Sequence, residues 1–235
     1  VWYIENMNVK YFQKLESTNL TARELIKKGE AEHGLVIAAD EQTAGRGREG
    51  KSFFSPKGGL YMSIVLQHEN NRQNNINKTT IITALAGICV CQAIEKFSQK
   101  KPMIKWVNDI FIDGLKVCGI LTEGVCDKYI LGIGVNFSTQ YFNEELTKLA
   151  CGIGENADKN GFMKFLVSRI LENSMSDAEI LNEYRSRLIG IGKTVEVGEI
   201  RGVMEGINDE GALVLKVDDK QKIVYAGSLR FLLNS

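Results

Sequence analysis

Residues 104–136, IKWVNDIFIDGLKVCGILTEGVCDKYILGIGVN, decide the fold. Three strand-like runs rich in Ile, Val, Leu and Phe follow one another. Asp113-Gly114 supplies a two-residue hairpin turn and Asp127-Lys128 marks a second reversal. Connections this short join antiparallel neighbours, so the segment is sheet with little helix.

Toward the N-terminus, residues 60–67 read as strand and residues 34–41 as a buried strand, from Leu35, Val36, Ile37 and two alanines. A short strand falls at residues 9–15. After it Ser17-Thr18-Asn19 opens a helix, Thr21 and Glu24 have capping-box spacing, and Gly29 is a stop. Residues 76–97 carry a helical pattern through Ile81, Ile82, Leu85, Ile88 and Cys89, expected to pack across the sheet. A further helical pattern covers residues 161–188. Beyond Gly190 and Gly192 come short β-rich segments around Val195, Val203, residues 213–217 and residues 223–226. A boundary near residue 189 is expected, giving domains 1–188 and 189–235, the second too small to be robust alone.

Composition bounds the function without naming it. Of 235 residues, 44% are hydrophobic and 25% charged, and Lys+Arg and Asp+Glu both total 29, so no global field draws the chain to nucleic acid or anionic membranes. No leader-like N-terminus and no apolar run of about 18 residues is evident, so a cytoplasmic location is expected. Cys89, Cys91, Cys118, Cys126 and Cys151 lack CxxC spacing, and four lie in apolar segments, where cysteine acts as a small hydrophobe.

Residues 42–59 differ in kind. Gly45, Gly47, Gly50, Gly58 and Gly59 alternate with Arg46, Arg48, Lys51 and Lys57, with no clear period. Glycines leave amide N–H groups free to approach an anion, and phosphate is the natural ligand. A solvated basic loop, or an RNA-binding glycine-arginine tract, is the more ordinary reading of the bare pattern. Lys116 follows the Asp113-Gly114 turn on an apolar strand, where alternation puts it on one face with Cys118 and Ile120, and Leu115, Val117 and Leu121 on the other. It is either a cation aimed at a ligand or a lysine at a solvated strand start. Asn108 and Asp109 suit a nucleotide and magnesium region, or simply a polar strand end.

Together, residues 45–63 (GRGREGKSFFSPKGGLYMS), residues 105–109 (KWVND), residues 116–121 (KVCGIL) and residues 132–136 (GIGVN) resemble the motifs of biotin protein ligases. Val107 stands where that family usually has proline, and Phe53 where it usually has tryptophan; both keep an apolar group. The resemblance implies a mixed, largely antiparallel α+β catalytic domain of class II synthetase-like type, with residues 192–231 similar to the family's small C-terminal SH3-like barrel. It implies ATP-dependent conversion of biotin to biotinyl-adenylate and transfer to a lysine of a biotin carrier domain of a carboxylase, with biotin and ATP as substrates and Mg2+ as cofactor. It makes Lys116, Arg46 and Arg48 catalytic. Ser17, Thr18, Asn19, Gln42, Gly45, Gly47 and Gly119 then join them around biotin, while Arg48, Lys51, Phe53, Asn108 and Asn136 face the nucleotide and Asp109 the magnesium.

His33 and His68 are the only histidines and no Ser/His/Asp set is evident, so catalysis is expected to rest on positioning and electrostatics. The nearest rival is a lipoate or octanoate ligase or transferase of related fold. Some biotin ligases also repress transcription through an N-terminal helix-turn-helix; sixteen residues precede Ser17, so no DNA binding is expected. A binding-only relative is disfavoured by the intact Lys116, Arg46 and Arg48. The resemblance allows a homodimer.

Overall fold

A computed structural model describes residues 7–68 and 78–232. The chain runs β1 (Val9–Phe12), α1 (Thr18–Lys27), β2 (Val36–Ala39), β3 (Gly59–Gln67), α2 (Lys78–Ser98), β4 (Met103–Lys105), β5 (Asp109–Ile112), β6 (Leu115–Val125) and β7 (Lys128–Asn136). Then follow α3 (Glu144–Thr147), α4 (Lys159–Leu171), α5 (Asp177–Ser186), β8 (Thr194–Val197), β9 (Ile200–Ile207), β10 (Leu213–Val217), β11 (Lys220–Val224) and β12 (Leu229–Phe231).

The first seven strands form one sheet in the order β1-β2-β3-β7-β6-β5-β4, antiparallel except for β1 against β2. Side chains alternate across it. Val36, Ala38, Met62, Ile64, Leu131 and Ile133 enter the larger core, whereas Ile37, Val65 and Ile130 enter a smaller one with Ala22 and Ile26 of α1. Thus α1 covers part of one face, and α2 packs on the other.

α2 is buried nearly all round because α4 and α5 cover its far side. Its 21 residues make it long and apolar enough to cross a membrane, which corrects the expectation that no run reaches that length. Here that length is packed inside the fold. Ile76, where the helix was expected to begin, lies outside the described residues.

The remaining strands form a five-stranded antiparallel sheet, β11-β10-β9-β8-β12. It is tied to the first part by Trp106 Nε1, which donates to the Gly211 carbonyl (3.2 Å), and by Arg185, which pairs with Asp209 (2.7 Å) and donates to the Ile207 carbonyl.

Several expectations change in detail. The 104–136 region holds four strands, since residues 106–108 turn between β4 and β5. The first hairpin is as expected, with Asp113 (φ 50°) and Gly114 (φ 83°) both left-handed as a type I′ turn needs. The second falls one residue early, at Cys126-Asp127, with Val125 opposite Lys128. The 161–188 pattern is two helices, because Ser176 and Glu179 form a capping box that starts α5 afresh. No such box forms at Thr21 and Glu24. Ser17 is already the N-cap, and the Thr21 hydroxyl donates to its carbonyl.

Candidate active site

A cleft opens on the α1 side of the large sheet, floored by β6 and β7, walled by the start of α1 and by the 42–59 loop, and closed by residues 227–229 of the small sheet. Among the described residues five cations line it, Arg46, Arg48, Lys51, Lys105 and Lys116, against the one carboxylate of Asp109. That balance favours an anionic ligand.

The loop has more internal order than its composition suggested. Gln42 N donates to the Ser55 carbonyl (3.0 Å), Phe53 N to Gly45 O (2.8 Å) and Gly47 N to Lys51 O (2.7 Å), around a single 3-10 turn at Arg48–Gly50. Gly45 is obligatory at this crossing, because a Cβ there would overlap the Phe53 carbonyl and the Ser55 hydroxyl. The folded loop lays the Phe53 ring on the sheet, where Gly119 and Gly134 make room: their Cβ atoms would lie 2.9 and 2.6 Å from that ring.

Lys116 reaches the cleft because the strand alternation fails. Ile110 pairs with Cys118 but Phe111 pairs with Lys116, so Val117 is an extra residue in β6. This bulge corrects the expected facing: Cys118 and Ile120 stay buried in the core, while Lys116 turns to the other side beside Gly119. Its Nζ sits 2.7 Å from Asp109 Oδ1 and 5.5 Å from the centre of the Phe53 ring. Asn108 is pinned to β6 by its side chain (Nδ2 to Ile120 O, 2.6 Å), and its Oδ1 accepts from Arg48 Nη1 at 3.3 Å.

At the other end, the α1 N-cap Ser17 is buried yet makes no side-chain capping bond, so its hydroxyl is not spent on a helix amide. That helix start is satisfied from outside instead. Gln42 Oε1 accepts from Thr18 N (2.8 Å) and Oγ1 (3.2 Å), while Gln42 Nε2 donates to Ser55 Oγ (2.9 Å).

Of the expected site residues, Ser17, Thr18, Asn19, Gln42, Arg46, Gly47, Arg48, Lys51, Phe53, Asn108, Asp109, Lys116 and Gly119 all line this cleft. Gly45 does not; it is buried behind Phe53. Asn136 does not either, although it lies two residues beyond Gly134 on the same sheet face. It is buried, and its Oδ1 has no hydrogen-bond partner among the described residues.

The sequence reading missed Lys105, Trp106, Leu121 and residues 227–229 as lining groups. Burial, and then the nearby cations Lys116, Arg230 and Lys51, push Lys105 below the ordinary lysine range against the opposing pull of Asp109. Ser228 bonds Lys51 Nζ (2.7 Å) and Glu49 (3.2 Å), joining the loop to the small sheet.

Residues 9–138, which carry most of this cationic cleft and its glycine-arginine loop, match the Biotin/lipoate A/B protein ligase family. Residues 190–229 match the Biotin protein ligase C terminal domain, and the chain belongs to the biotin protein ligases. It is 33% identical over 242 residues to the bifunctional ligase/repressor BirA of Bacillus subtilis, covering 93% of this chain and 72% of that protein. The biotin–[acetyl-CoA-carboxylase] ligase of Paracoccus denitrificans is 26% identical over 92% of this chain and 99% of its own. The structure is similar to that of the Aquifex aeolicus biotin protein ligase in complex with biotin and ATP (TM-score 0.84, 28% identity, 96% of this chain and 99% of that one).

Proposed function

We propose that this chain activates biotin with ATP to biotinyl-5′-adenylate and then attaches biotin to a lysine of a carboxylase's biotin carrier domain. The observation that carries this reading is the Lys116 ammonium, turned by the Val117 bulge into a cleft where cations outnumber carboxylates. In the first step a biotin carboxylate oxygen attacks the α-phosphorus of ATP and pyrophosphate leaves. The two anions repel one another unless a fixed cation neutralises both, which is the part of Lys116 with Arg46 and Arg48. In the second step the neutral amine of the acceptor lysine attacks the acyl carbon, AMP leaves with the bonding electron pair, and the amine's proton passes to solvent.

Ser17, Thr18, Asn19 and Gln42 offer the donors and acceptors that a ureido ring requires, with Gly47 and Gly119 giving the backbone close access. Gly45 acts indirectly, by letting the loop cross beneath Phe53. Lys51, Phe53 and Asn108 face the nucleotide beside Arg48, and Asn136 has a buried oxygen, unpaired among the described residues, to offer it.

Among the described residues no group of three or more His, Cys, Asp or Glu is arranged for a metal. Asp109 with the Asn108 carboxamide fits a magnesium ion that arrives on a triphosphate, since Mg2+ needs only one or two carboxylates beside phosphate and water oxygens. When bound, the ion would offset phosphate charge. The proposal includes a division into domains 1–188 and 189–235, a cytoplasmic location and a biotin carrier domain as partner. Homodimerisation is compatible with it.

The test is biotin-dependent exchange of labelled pyrophosphate into ATP, with lipoate and octanoate in parallel. Exchange with biotin alone is expected; exchange with lipoate instead would move the chain to the lipoate branch.

A further inference from the structure

At the inner end of the cleft Asn19 is held by residues that no ligand role accounts for. Its Nδ2 donates to Glu123 Oε2 (2.7 Å), and its Oδ1 accepts from the fully buried Ser63 hydroxyl (2.6 Å). The second Glu123 oxygen accepts from Arg23 Nη2 at 2.6 Å. Beneath them Gly132 is required, because a Cβ there would overlap Asn19 Oδ1. Thus β3, β6 and α1 each contribute to one polar chain, Arg23 to Glu123 to Asn19 to Ser63.

We infer that Glu123, oriented by Arg23, is a positioning residue that fixes the Asn19 carboxamide and, through it, the first turn of α1 where the ligand's polar ring is recognised. A carboxylate only accepts hydrogen bonds. If the Asn19 amide flipped, its oxygen would face Glu123 Oε2, so the amide has one allowed orientation. That orientation leaves one N–H and one lone pair of Asn19 for a ligand, beside the unspent Ser17 hydroxyl. A ring carrying both N–H donors and a carbonyl acceptor needs such a fixed pattern, and an amide free to flip would present a mixed one. Arg23, bonded to the second oxygen, stops the carboxylate's rotation.

The inference rests on the biotin reading for its ligand but not for its geometry, so two measurements on the full chain separate them. The first is the split between KM and kcat in pyrophosphate exchange. Glu123→Ala is expected to raise the biotin KM about tenfold, as for loss of a bond to a charged group, with kcat and the ATP KM within about twofold. Glu123→Gln keeps an acceptor without the charge and should be intermediate, as should Arg23→Met. An unchanged biotin KM in Glu123→Ala, or an equal rise for ATP, overturns the inference.

The second is amide hydrogen exchange of the ligand-free chain, in which Glu123→Ala and Arg23→Met should both lower the protection of residues 18–22. Unaltered protection overturns the inference as well. Wild-type exchange with lipoate rather than biotin would refute the substrate and leave the hydrogen-exchange result to decide Glu123.

Discussion

Lys116 Nζ lies 2.7 Å from Asp109 Oδ1, across a β-bulge that separates the lysine from the apolar run following it. The pair holds the ammonium at a fixed point beside the Phe53 ring, with its other hydrogens available. Lys116→Ala is expected to cut biotin-dependent pyrophosphate exchange by about 10²–10³-fold, the usual loss for a cation or donor aimed at developing charge. Circular dichroism should be unchanged, because the side chain is part-exposed. Wild-type exchange in this variant would remove Lys116 from the catalytic set.

Arg48 is tethered to Asn108 at 3.3 Å, a long and weak bond that a ligand phosphate readily replaces. Arg48→Ala should weaken retention of the adenylate more than its formation, in which Lys116 and Arg46 still neutralise the reacting anions. With acceptor present, AMP formed in excess of biotinylated carrier domain should then rise several-fold, both measured in one reaction. An unaltered ratio would mean that the loop keeps the intermediate by other contacts.

Gly134 has the Phe53 ring where its side chain would be, so Gly134→Ala must push the ring out of its seat. Overpacking of this kind costs about 1–3 kcal/mol. The variant should melt earlier and bind biotin more weakly, by calorimetry. Gly134→Ala combined with Phe53→Leu should recover part of the melting temperature, since the smaller side chain vacates the contested space.

The thiols give a pH-dependent prediction. Burial pushes Cys89 and Cys91 each up to about 12, against about 8.5 for a free thiol. Their neutral forms are therefore favoured by the fold. The stability they contribute is whole below pH about 8.5 and is lost as pH rises from there toward 12, as the unfolded thiols ionise first. Denaturant midpoints should fall across that window and fall less in Cys89→Ala/Cys91→Ala. In the native protein at pH 8 a thiol reagent should modify exposed Cys126 first, with buried Cys89, Cys91 and Cys118 reacting only on unfolding.

The sequence carried the sheet and most of the cleft because both are written locally. The Asp113-Gly114 turn, the apolar strands and the glycine-arginine loop each announce themselves within a few residues. The bulge at Val117 does not: nothing local separates its extra residue from regular alternation, and only pairing with β5 exposes it. Strict alternation therefore put Lys116 on the face of Cys118 and Ile120, the face that the structure turns to the core.

Glu123 and Arg23 escaped notice for a related reason, being 100 positions apart and joined only by folding. A usable signal was present in Glu123, a lone carboxylate in the otherwise apolar or neutral β6 stretch from Val117 to Val125. Likewise Ser176 and Glu179 had capping-box spacing, enough to divide the 161–188 helical pattern.

Gly227, Ser228 and Leu229 wall the same cleft as Ser17. A cleft whose first and last walls are made more than 200 positions apart in the chain cannot be complete until the second has been synthesised. The nascent polypeptide on the ribosome would have Lys116 and the loop long before it has the final wall. Capture in the closed cleft therefore waits until residues 227–229 have been made, which keeps a half-made protein from occupying ligand to no purpose.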